Sequence, residues 1–518
     1  MAKSGRTQRI ATRTRGTVGR ARMAVAVLVA RTVGASTRRL RLGGGTSLPG
    51  LVAGGLDPGL VAHLGAQLRH GSVLITGTNG KTTTSGLLAY VLRDAGLRVW
   101  RNREGANLLR GVTASLISHA GPSGQLRDGG DAAAIFEVDE AAFPRVVAEL
   151  RPRAIVVTNL FRDQLDRYGE VDTVAERWRA ALDSAPGTTA LALNADDPAI
   201  AALALDAAGL ADGLAAGAER TVIYFGVEAA PDAGRSTASE VIDTRTCPRC
   251  RAPLEYTLRF YSHLGHWACP ACGLRRPTPT IRARAIVPAA LDSTRFQLET
   301  PTGATEVTLA LPGLYNVYNA LAAAAAGQLL GAGNAAMASG LGRFTPAFGR
   351  AERIEVDGRG VRILLAKNPT GLNEVLRALA SEPAAGGQVA RRHLLLLLND
   401  RAADGEDVSW IWDADFEQVA GIAASVVVSG TRAADLAVRL KYAGVAASGP
   451  TGDAARSPGA PTALTVEPDV ARALDRALAN VAPGETLYVV PTYTAMLAVR
   501  GELERRGFAP RYWEMADA

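Results

Sequence analysis

The sequence predicts an α/β protein with a parallel sheet, a small inserted metal module and a second, smaller α/β unit. Short apolar runs alternate with segments of helical spacing, which is typical of a parallel sheet covered by helices on both faces. One run, Val73 to Thr76, leads through a glycine-rich turn into a helix predicted at Thr82 to Ala95. Two cysteine pairs interrupt the alternation between Thr246 and Pro279. These three features predict the fold class and the place of the insertion.

The other predicted elements follow from the same apolar periodicity. An Ala-rich helix is predicted from about Val317 to Leu330, and the second α/β unit begins near Gly349. Strands of the first unit are predicted at Ala133 to Val138, Ala154 to Thr158 and Ala190 to Leu193. Strands of the second unit are predicted at Val361 to Leu365, His393 to Leu398, Ser425 to Val428 and Thr486 to Val490.

The positive charge of the chain is concentrated at its N-terminus. The chain has 518 residues and a net charge of +7, but eleven Lys or Arg residues precede Asp57, the first acidic residue. The remainder has 46 basic and 50 acidic residues (57 minus 11, against 50). We therefore expect a basic arm at residues 1–42 that runs into a short amphipathic helix, with peripheral contact to an anionic membrane as one role. A secretory signal is disfavoured because Arg31 and further arginines follow the apolar stretch directly.

The glycine-rich turn has the composition of a phosphate-binding loop. The residues involved are Gly77, Thr78, Asn79, Gly80, Lys81, Thr82 and Thr83. Glycines let backbone N–H groups converge on an anion, and the following helix directs its positive end to the same point. Lys81 would contact the outer phosphates of ATP, and Thr82 would place a hydroxyl on Mg²⁺. The spacing between the glycines is shorter than in the general P-loop, in which four residues separate them.

An acidic run follows the next predicted strand. Glu137, Asp139 and Glu140 stand at its carboxyl end, where α/β sheets place their ligands. Mg²⁺ prefers oxygen ligands of this kind. Glu137 is therefore the predicted carboxylate ligand, although a solvated acidic turn would show the same composition.

The four cysteines have the spacing of a structural zinc site. Cys247 and Cys250 form one Cys-x-x-Cys pair, and Cys269 and Cys272 form the other after 18 residues. Four thiolates complete the tetrahedral shell of Zn²⁺ and leave no open position for chemistry. Zinc ribbons can also bind nucleic acid, but few basic residues lie between the pairs, so we expect no such partner. A zinc-ribbon nucleotidase that binds nucleic acid remains the second alternative.

Several of these segments together resemble the Mur ligases. The loop GTNGKTTT, the strand FEVDEA and the segment TNLFRDQLD carry the resemblance, with LNADDP and LYNVYNALAA further on. The resemblance implies a central P-loop ATPase domain, a Rossmann-like C-terminal domain and activation of a carboxylate as an acyl phosphate. It also implies nucleotide contacts from Asn194, Asp197, Asn316 and Arg350. Gln164 stands where many of these ligases have a metal-binding histidine, which leaves its role undecided.

The C-terminal part resembles the MurT branch of the family. The run ADGEDVSWIWD carries this likeness, and MurT proteins work with a GatD-type glutaminase. By resemblance, Asp407 would orient the Cys–His pair of that partner, with Asp404 and Asp413 as the other candidates. Trp410 and Trp412 are expected to fill the core. If zinc occupies all four cysteines, the chain has no free thiolate for glutamine hydrolysis, so a partner would have to supply ammonia.

These inferences combine into one hypothesis about the reaction. We expect an ATP-dependent carbon–nitrogen ligase that amidates the D-glutamate α-carboxylate of lipid II in peptidoglycan synthesis, in the cytoplasm or at the inner face of the plasma membrane. Lys81, Glu137 and Asp407 are its predicted catalytic residues. The first alternative is an amino-acid-adding ligase of muramyl or folylpolyglutamate type, against which Gln164, Tyr315 and Lys367 count. The expected domains are the arm, a central domain at 43–345 with the ribbon at about 244–280, and a C-terminal domain at 346–518.

Overall fold

The computed structural model describes residues 21–36, 48–102, 106–162, 171–204, 220–229, 243–289, 292–345, 350–380, 391–445 and 463–510. Within them, two large sheets follow one another along the chain, and a short hairpin is inserted into the first. The described parts of the two units are in contact. Arg362 of the second unit pairs with Asp292 of the first, with 2.8 Å between Nη1 and Oδ1.

The first sheet has nine strands in the order β11-β10-β9-β6-β5-β4-β1-β3-β2. The strands are β1 (Ser72–Thr76), β2 (Val99–Arg101), β3 (Ala133–Glu137), β4 (Ala154–Val157), β5 (Ala190–Asn194), β6 (Val222–Val227), β9 (Ile281–Ala289), β10 (Ser293–Thr300) and β11 (Gly303–Leu309). β1 to β6 are parallel, whereas β10 is antiparallel to both β9 and β11. The predicted parallel sheet is therefore correct for its centre, and an antiparallel meander extends one edge.

Helices cover both faces of this sheet and bury a separate apolar core on each. They are α1 (21–36), α2 (Leu48–Leu56), α3 (Leu60–Gly65), α4 (Lys81–Asp94), α5 (Leu109–His119), α6 (Phe143–Leu150), α7 (Val171–Ser184), α8 (Pro198–Ala201), α9 (Leu314–Leu329) and α10 (Asn334–Arg343). The seven-residue centre of α9, Ala320 to Ala326, is completely buried. Its alanines and a single leucine leave little bulk, so α9 packs closely against α4 and the sheet.

The inserted hairpin consists of β7 (Glu255–Tyr261) and β8 (Leu264–Ala268), which pair antiparallel between β6 and β9 in the chain. One face of the hairpin packs against the first unit, next to the end of β5. Trp267 is almost completely buried, and its indole N–H donates to the backbone oxygen of Ala195 at 3.0 Å. The backbone N–H of Gly265 donates to the oxygen of Asp196 at 3.0 Å. The hairpin is therefore packed into the body of the protein.

The second sheet has six strands in the order β12-β13-β17-β14-β15-β16, and β12 alone is antiparallel to its neighbour. Its strands are β12 (Arg350–Val356), β13 (Arg359–Leu364), β14 (Arg392–Leu397), β15 (Ala423–Ser429), β16 (Ala463–Val466) and β17 (Thr486–Pro491). Its helices are α11 (Pro369–Ala380), α12 (Glu417–Ile422), α13 (Ala433–Tyr442), α14 (Val470–Ala479) and α15 (Tyr493–Arg505). No helix in the described part of the chain is long and apolar enough to cross a bilayer.

Candidate active site

Two glycines shape the loop between β1 and α4. The backbone φ is 132° at Gly77 and 87° at Gly80, a region that side chains disfavour. A Cβ on Gly77 would lie 2.1 Å from Oγ1 of Thr158, and one on Gly80 would lie 1.9 Å from Oδ1 of Asn319. Only glycine fits either position. The result is a turn with close backbone packing at the N-terminus of a 14-residue helix, which suits a phosphate group.

The segment after β4 holds this loop in place. The backbone N–H of Asn79 donates to Oδ1 of Asn159 at 2.8 Å, and Oγ1 of Thr158 donates to the oxygen of Asn79 at 2.8 Å. The hydroxyl of Thr78 donates to the oxygen of Phe161 at 3.1 Å and accepts its N–H at 3.0 Å. The two segments that carried the family resemblance are thus hydrogen-bonded to one another.

Lys81 lies at the base of the loop and forms a nearly buried ion pair. Its Nζ is 2.8 Å from Oε1 of Glu140, and the two side chains are 13% and 6% exposed. The ammonium also donates to the carbonyl oxygens of Gly77 and Thr78. Glu140 was recognised in the sequence only as a member of an acidic run. The contact shows that it neutralises the lysine of the phosphate loop.

Thr82 and Glu137 lie side by side, as the sequence predicted for a magnesium site. Oγ1 of Thr82 donates to Oε2 of Glu137 at 2.7 Å, and the hydroxyl of Ser85 donates to Oε1 at 3.1 Å. The side chain of Asn102 positions Glu137 by accepting its N–H and donating to its oxygen, both at 2.9 Å. A hydroxyl and a carboxylate at adjacent positions are oxygen donors that suit a hard divalent cation. Ser85 and Asn102 were not foreseen.

The remaining predicted nucleotide contacts lie deeper in the protein. Thr83 is almost completely buried in the first turn of α4. Asn194 is buried and donates to the oxygen of Thr158 at 2.9 Å. Asn316 donates to the oxygen of Pro312 at 2.7 Å. The contact of these side chains with nucleotide stays a prediction, while the observed hydrogen bonds of Asn194 and Asn316 stabilise the segments around the loop.

Asp197 has protein partners for both carboxylate oxygens. Oδ1 caps α8 by accepting the N–H groups of Ala199 and Ile200, at 3.0 and 3.2 Å. Oδ2 accepts the N–H of Leu160 at 2.8 Å. A helix cap and a loop tether are therefore its observed roles. Gln164 and the side chain of Arg350 lie outside the described residues.

The four cysteines converge on one point. Their sulfur atoms all lie within 4.8 Å of one another, with 3.6 Å between Cys247 and Cys272 and 3.4 Å between Cys250 and Cys269. Sulfur atoms on a tetrahedral zinc, each bonded at about 2.3 Å, are separated by similar distances. The donor set and the spacing therefore suit a metal ion.

The tip of the inserted hairpin reaches the nucleotide loop through a buried ion pair. Nε2 of His263 is 3.2 Å from Oδ2 of Asp197, and neither side chain is exposed to solvent. Burial alone would lower the pKa of His263, but the carboxylates of Asp197 and Asp243 raise it above its ordinary value. Sequence reasoning identified His263 only as a residue between the cysteine pairs. No local motif marks it, because its partner is 66 residues away in the sequence (263 minus 197).

A residue of the second unit also contacts the loop. Nδ2 of Asn368, just before α11, donates to Oδ1 of Asn79 at 2.9 Å. The sequence indicated this segment only through the neighbouring Lys367, which counts against an amino-acid-adding ligase. The observed hydrogen bond makes the phosphate loop a junction of the two units.

The candidate acidic residues of the second unit differ in exposure. Asp407 is exposed, and its carboxylate accepts the N–H and the hydroxyl of Ser409 at 2.7 and 2.9 Å. These two hydrogen bonds lower the pKa of Asp407. Asp404 is buried and accepts the N–H of Thr494 at 2.7 Å, whereas Asp413 is exposed.

The expectation for the two tryptophans was wrong for Trp412. Its side chain is 52% exposed, while Trp410 packs partly against the core. The segment Ser409–Asp413 is a short 3₁₀ helix, which cannot bury two side chains that lie two positions apart. The Trp412 ring packs against Tyr442 with 5.7 Å between the ring centroids.

Comparisons with known proteins match both units. A model of the Mur ligase middle domain matches residues 75–229, and a model of the MurT ligase C-terminal domain matches residues 365–496. The pseudomurein peptide ligase type C of Methanothermus fervidus superposes with a TM-score of 0.59 at 24% identity, covering 86% of this chain and 80% of that one. MurF of Thermotoga maritima in complex with ADP gives 0.55 at 12% identity, covering 87% and 84%. At such identities these likenesses establish the Mur-ligase-like α/β fold.

Two curated relatives are more similar in sequence. Both are named lipid II isoglutaminyl synthase (glutamine-hydrolyzing) subunit MurT. The protein of Staphylococcus aureus (strain COL) is 34% identical over 403 residues, which cover 77% of this chain and 84% of the relative. The protein of Streptococcus pneumoniae (strain ATCC BAA-255 / R6) is 31% identical over 469 residues, 90% of this chain and 94% of the relative. This chain therefore belongs to the MurT family of Mur-ligase-type enzymes.

Proposed function

We propose that this chain is the ATP-dependent synthetase subunit of a lipid II isoglutaminyl synthase. It converts the α-carboxylate of D-glutamate in the lipid II stem peptide into an amide, with ammonia as the nitrogen source. The observation that carries the proposal is the Thr82–Glu137 pair beside a glycine-shaped loop, in a chain 34% identical to relatives with that name. Such a site suits phosphoryl transfer to a carboxylate.

The proposed reaction has two steps, phosphorylation of the carboxylate and attack by ammonia. A carboxylate oxygen of the substrate attacks the γ-phosphorus of ATP, the bond to the β-phosphate oxygen breaks, and ADP leaves. The nitrogen of ammonia then attacks the acyl carbon, the acyl–oxygen bond breaks, and inorganic phosphate leaves. The amide forms after the nitrogen loses a proton. The loop N–H groups bind the phosphates, and Lys81 exchanges its contact with Glu140 for the charge of the γ-phosphate.

The proposed magnesium ligands are Thr82 and Glu137. The cation would offset charge on the phosphates during transfer. Ser85 and Asn102 position the carboxylate through the hydrogen bonds described above. The four cysteines are the proposed ligands of a zinc ion with a structural role, which would complete a zinc ribbon at about 244–280.

The proposed partner is a GatD-type glutaminase that binds the C-terminal domain at 346–518. Asp407 is the proposed residue that completes the partner's active site, because it is exposed whereas Asp404 is buried. As an exposed carboxyl group, Asp407 is ionised at neutral pH, as an acceptor for an imidazole N–H requires. We place the reaction in the cytoplasm, at the inner face of the plasma membrane.

The deciding experiment bypasses the partner. The purified chain is incubated with ATP, Mg²⁺, lipid II and ammonium chloride, and the lipid is analysed by mass spectrometry. We expect one carboxyl group to become an amide, and the variant Lys81→Ala to lose this activity. A gain of a whole residue when amino acids are supplied would instead identify an amino-acid-adding ligase. Unchanged lipid and ATP, even with a glutaminase and glutamine present, would refute the proposal.

A further inference from the structure

Helices α1 and α2 expose an unusual amount of apolar surface. Of the twelve large apolar side chains that are exposed among the described residues, five lie in these two helices. We call them the apolar face: Val25, Leu28, Leu48, Leu51 and Leu56, which are 55%, 51%, 45%, 61% and 39% exposed. Contiguous exposed apolar surface on a folded protein marks an interaction site.

The face is ordered by packing on its inner side. In α1, Met23, Ala26, Val27 and Ala30 are buried against the body, so Val25 and Leu28 point away from it. In α2, Ala53 is buried while Leu48 and Leu51 lie on the outer side. Nε of Arg22 donates to the oxygen of Leu56 at 2.6 Å, which links the two helices. The start of α1 and the end of α2 are therefore neighbours.

The sequence that contains these two helices is rich in positive charge. Arg22 is exposed in α1, and α1 also contains Arg31, which donates to the oxygen of Ala120. In the sequence, eleven Lys or Arg residues and no acidic residue precede Asp57. Leucines beside clustered arginines are the composition of segments that bind the surface of an anionic bilayer. A neutral apolar protein partner would not require this excess of positive charge.

We propose that the apolar face of α1 and α2 docks on the anionic surface of a phospholipid bilayer. The leucine and valine side chains enter the boundary between headgroups and acyl chains, and the arginines contact lipid phosphates. The helices lie along the membrane, since neither is long enough to cross it. Membrane binding would bring the enzyme to a lipid-linked substrate, and only this purpose rests on the proposed function.

The position of α2 agrees with that purpose. Gly50 packs so closely on α5 that a Cβ there would lie 1.9 Å from the carbonyl oxygen of Arg110. Arg110 is in the first turn of α5, the helix that follows the carboxyl end of β2. The phosphate loop follows the carboxyl end of β1 in the same sheet. Gly50 of α2 therefore packs on the side of the sheet where the strands end and the phosphate loop begins.

The test measures binding to vesicles that contain no lipid II, so its result does not depend on catalysis. The full-length chain is sedimented with vesicles of phosphatidylcholine alone, or of phosphatidylcholine with phosphatidylglycerol. The variants are Leu28→Glu, Leu51→Glu and, as a matched control, Leu497→Glu, since Leu497 is 40% exposed on α15 of the second unit. Circular dichroism and ATP affinity verify that each variant is folded.

We expect binding to the anionic vesicles, weakened by salt, and little binding to the neutral ones. Leu28→Glu and Leu51→Glu should each lower the partition coefficient by about tenfold or more, because each puts a charge in place of an exposed leucine that would enter the bilayer. Leu497→Glu should bind like the original chain. Equal binding of all variants would overturn the proposal. Loss of a dimer in Leu51→Glu, without vesicle binding by the original chain, would identify a second copy as the occupant instead.

Discussion

The Nε2 atom of His263 lies 3.2 Å from Oδ2 of Asp197, and both side chains are completely buried. The same Oδ2 accepts the N–H of Leu160, and the adjacent Phe161 exchanges two hydrogen bonds with Thr78 of the phosphate loop. A continuous set of contacts therefore connects the tip of the four-cysteine module with the nucleotide site. The four-cysteine module therefore supports the position of the phosphate loop.

The variant His263→Gln should bind ATP more weakly. Glutamine retains an N–H donor but loses the charge that faces Asp197. The Asp197 carboxylate is then held less firmly, and its hydrogen bond with the N–H of Leu160 is weakened. We expect the dissociation constant for ATP, measured by calorimetry, to rise by about tenfold, equivalent to ~1.4 kcal/mol. His70→Gln is the matched control, since His70 pairs with Asp131 at the surface. An unchanged ATP affinity in a folded His263→Gln protein would contradict the coupling.

The same pair predicts a pH dependence of stability. The pKa of His263 is raised in the folded protein, because the effect of Asp197 and Asp243 outweighs that of burial. Its contribution to stability is therefore complete below the unfolded value near 6.5 and is lost as pH rises through the folded pKa. The difference in unfolding free energy between the original chain and His263→Gln should shrink with rising pH in urea titrations. A difference that grows toward alkaline pH would exclude this interpretation.

Thr82 and Glu137 should control the magnesium dependence of the reaction. We expect Thr82→Ala and Glu137→Gln each to lower the rate of ammonia-driven amidation by about 10²-fold. The first removes an oxygen ligand of the cation, and the second removes the negative charge that attracts it. Thr82→Ser keeps the hydroxyl and should retain most activity. Magnesium titrations of ATP consumption check this, with Glu149→Gln in α6 as the control. Full activity of Glu137→Gln at low magnesium would show that the cation binds elsewhere.

Asp407 should affect only the glutamine-driven reaction. With the glutaminase partner present, Asp407→Asn should lower amidation from glutamine by about 10²- to 10⁴-fold, because an orienting acid is lost. Amidation from ammonium chloride should be unchanged. Asp413→Asn serves as the exposed control, and Asp404→Asn should lower the melting temperature because an NH2 group replaces one of the two oxygens that accept hydrogen bonds from Thr494. If Asp413→Asn shows the selective loss and Asp407→Asn does not, the assignment moves to Asp413.

The four-cysteine cluster should contain zinc. We expect one zinc ion per chain by elemental analysis, and Cys250→Ser should reduce its content. Thiol titration should detect four reactive thiols after chelation and few before it, since these are the four cysteines of the sequence. Chelation should also lower the melting temperature. Four reactive thiols in the untreated, metal-free chain would exclude the zinc site.

Much of the central fold could be predicted from local pattern. The helix expected at Thr82 to Ala95 is observed at Lys81–Asp94, and the strand expected at Ala190 to Leu193 is observed at Ala190–Asn194. The meander β9–β10–β11 was not foreseen. Its alternation of exposed and buried residues indicates strands but not the neighbours they pair with.

The sequence by itself determined the positions of the loop glycines and the order of strand, loop and helix. It also determined the spacing of the two Cys-x-x-Cys pairs and the family resemblance. These signals are local, since backbone freedom at Gly77 and Gly80 and the spacing of ligands depend on adjacent residues. Only the tertiary structure decided that Glu140 neutralises Lys81, that His263 faces Asp197 and that Asn368 contacts Asn79. Such contacts join residues far apart in the chain, and whether a given polar side chain finds a buried partner depends on how the sheets and the hairpin pack.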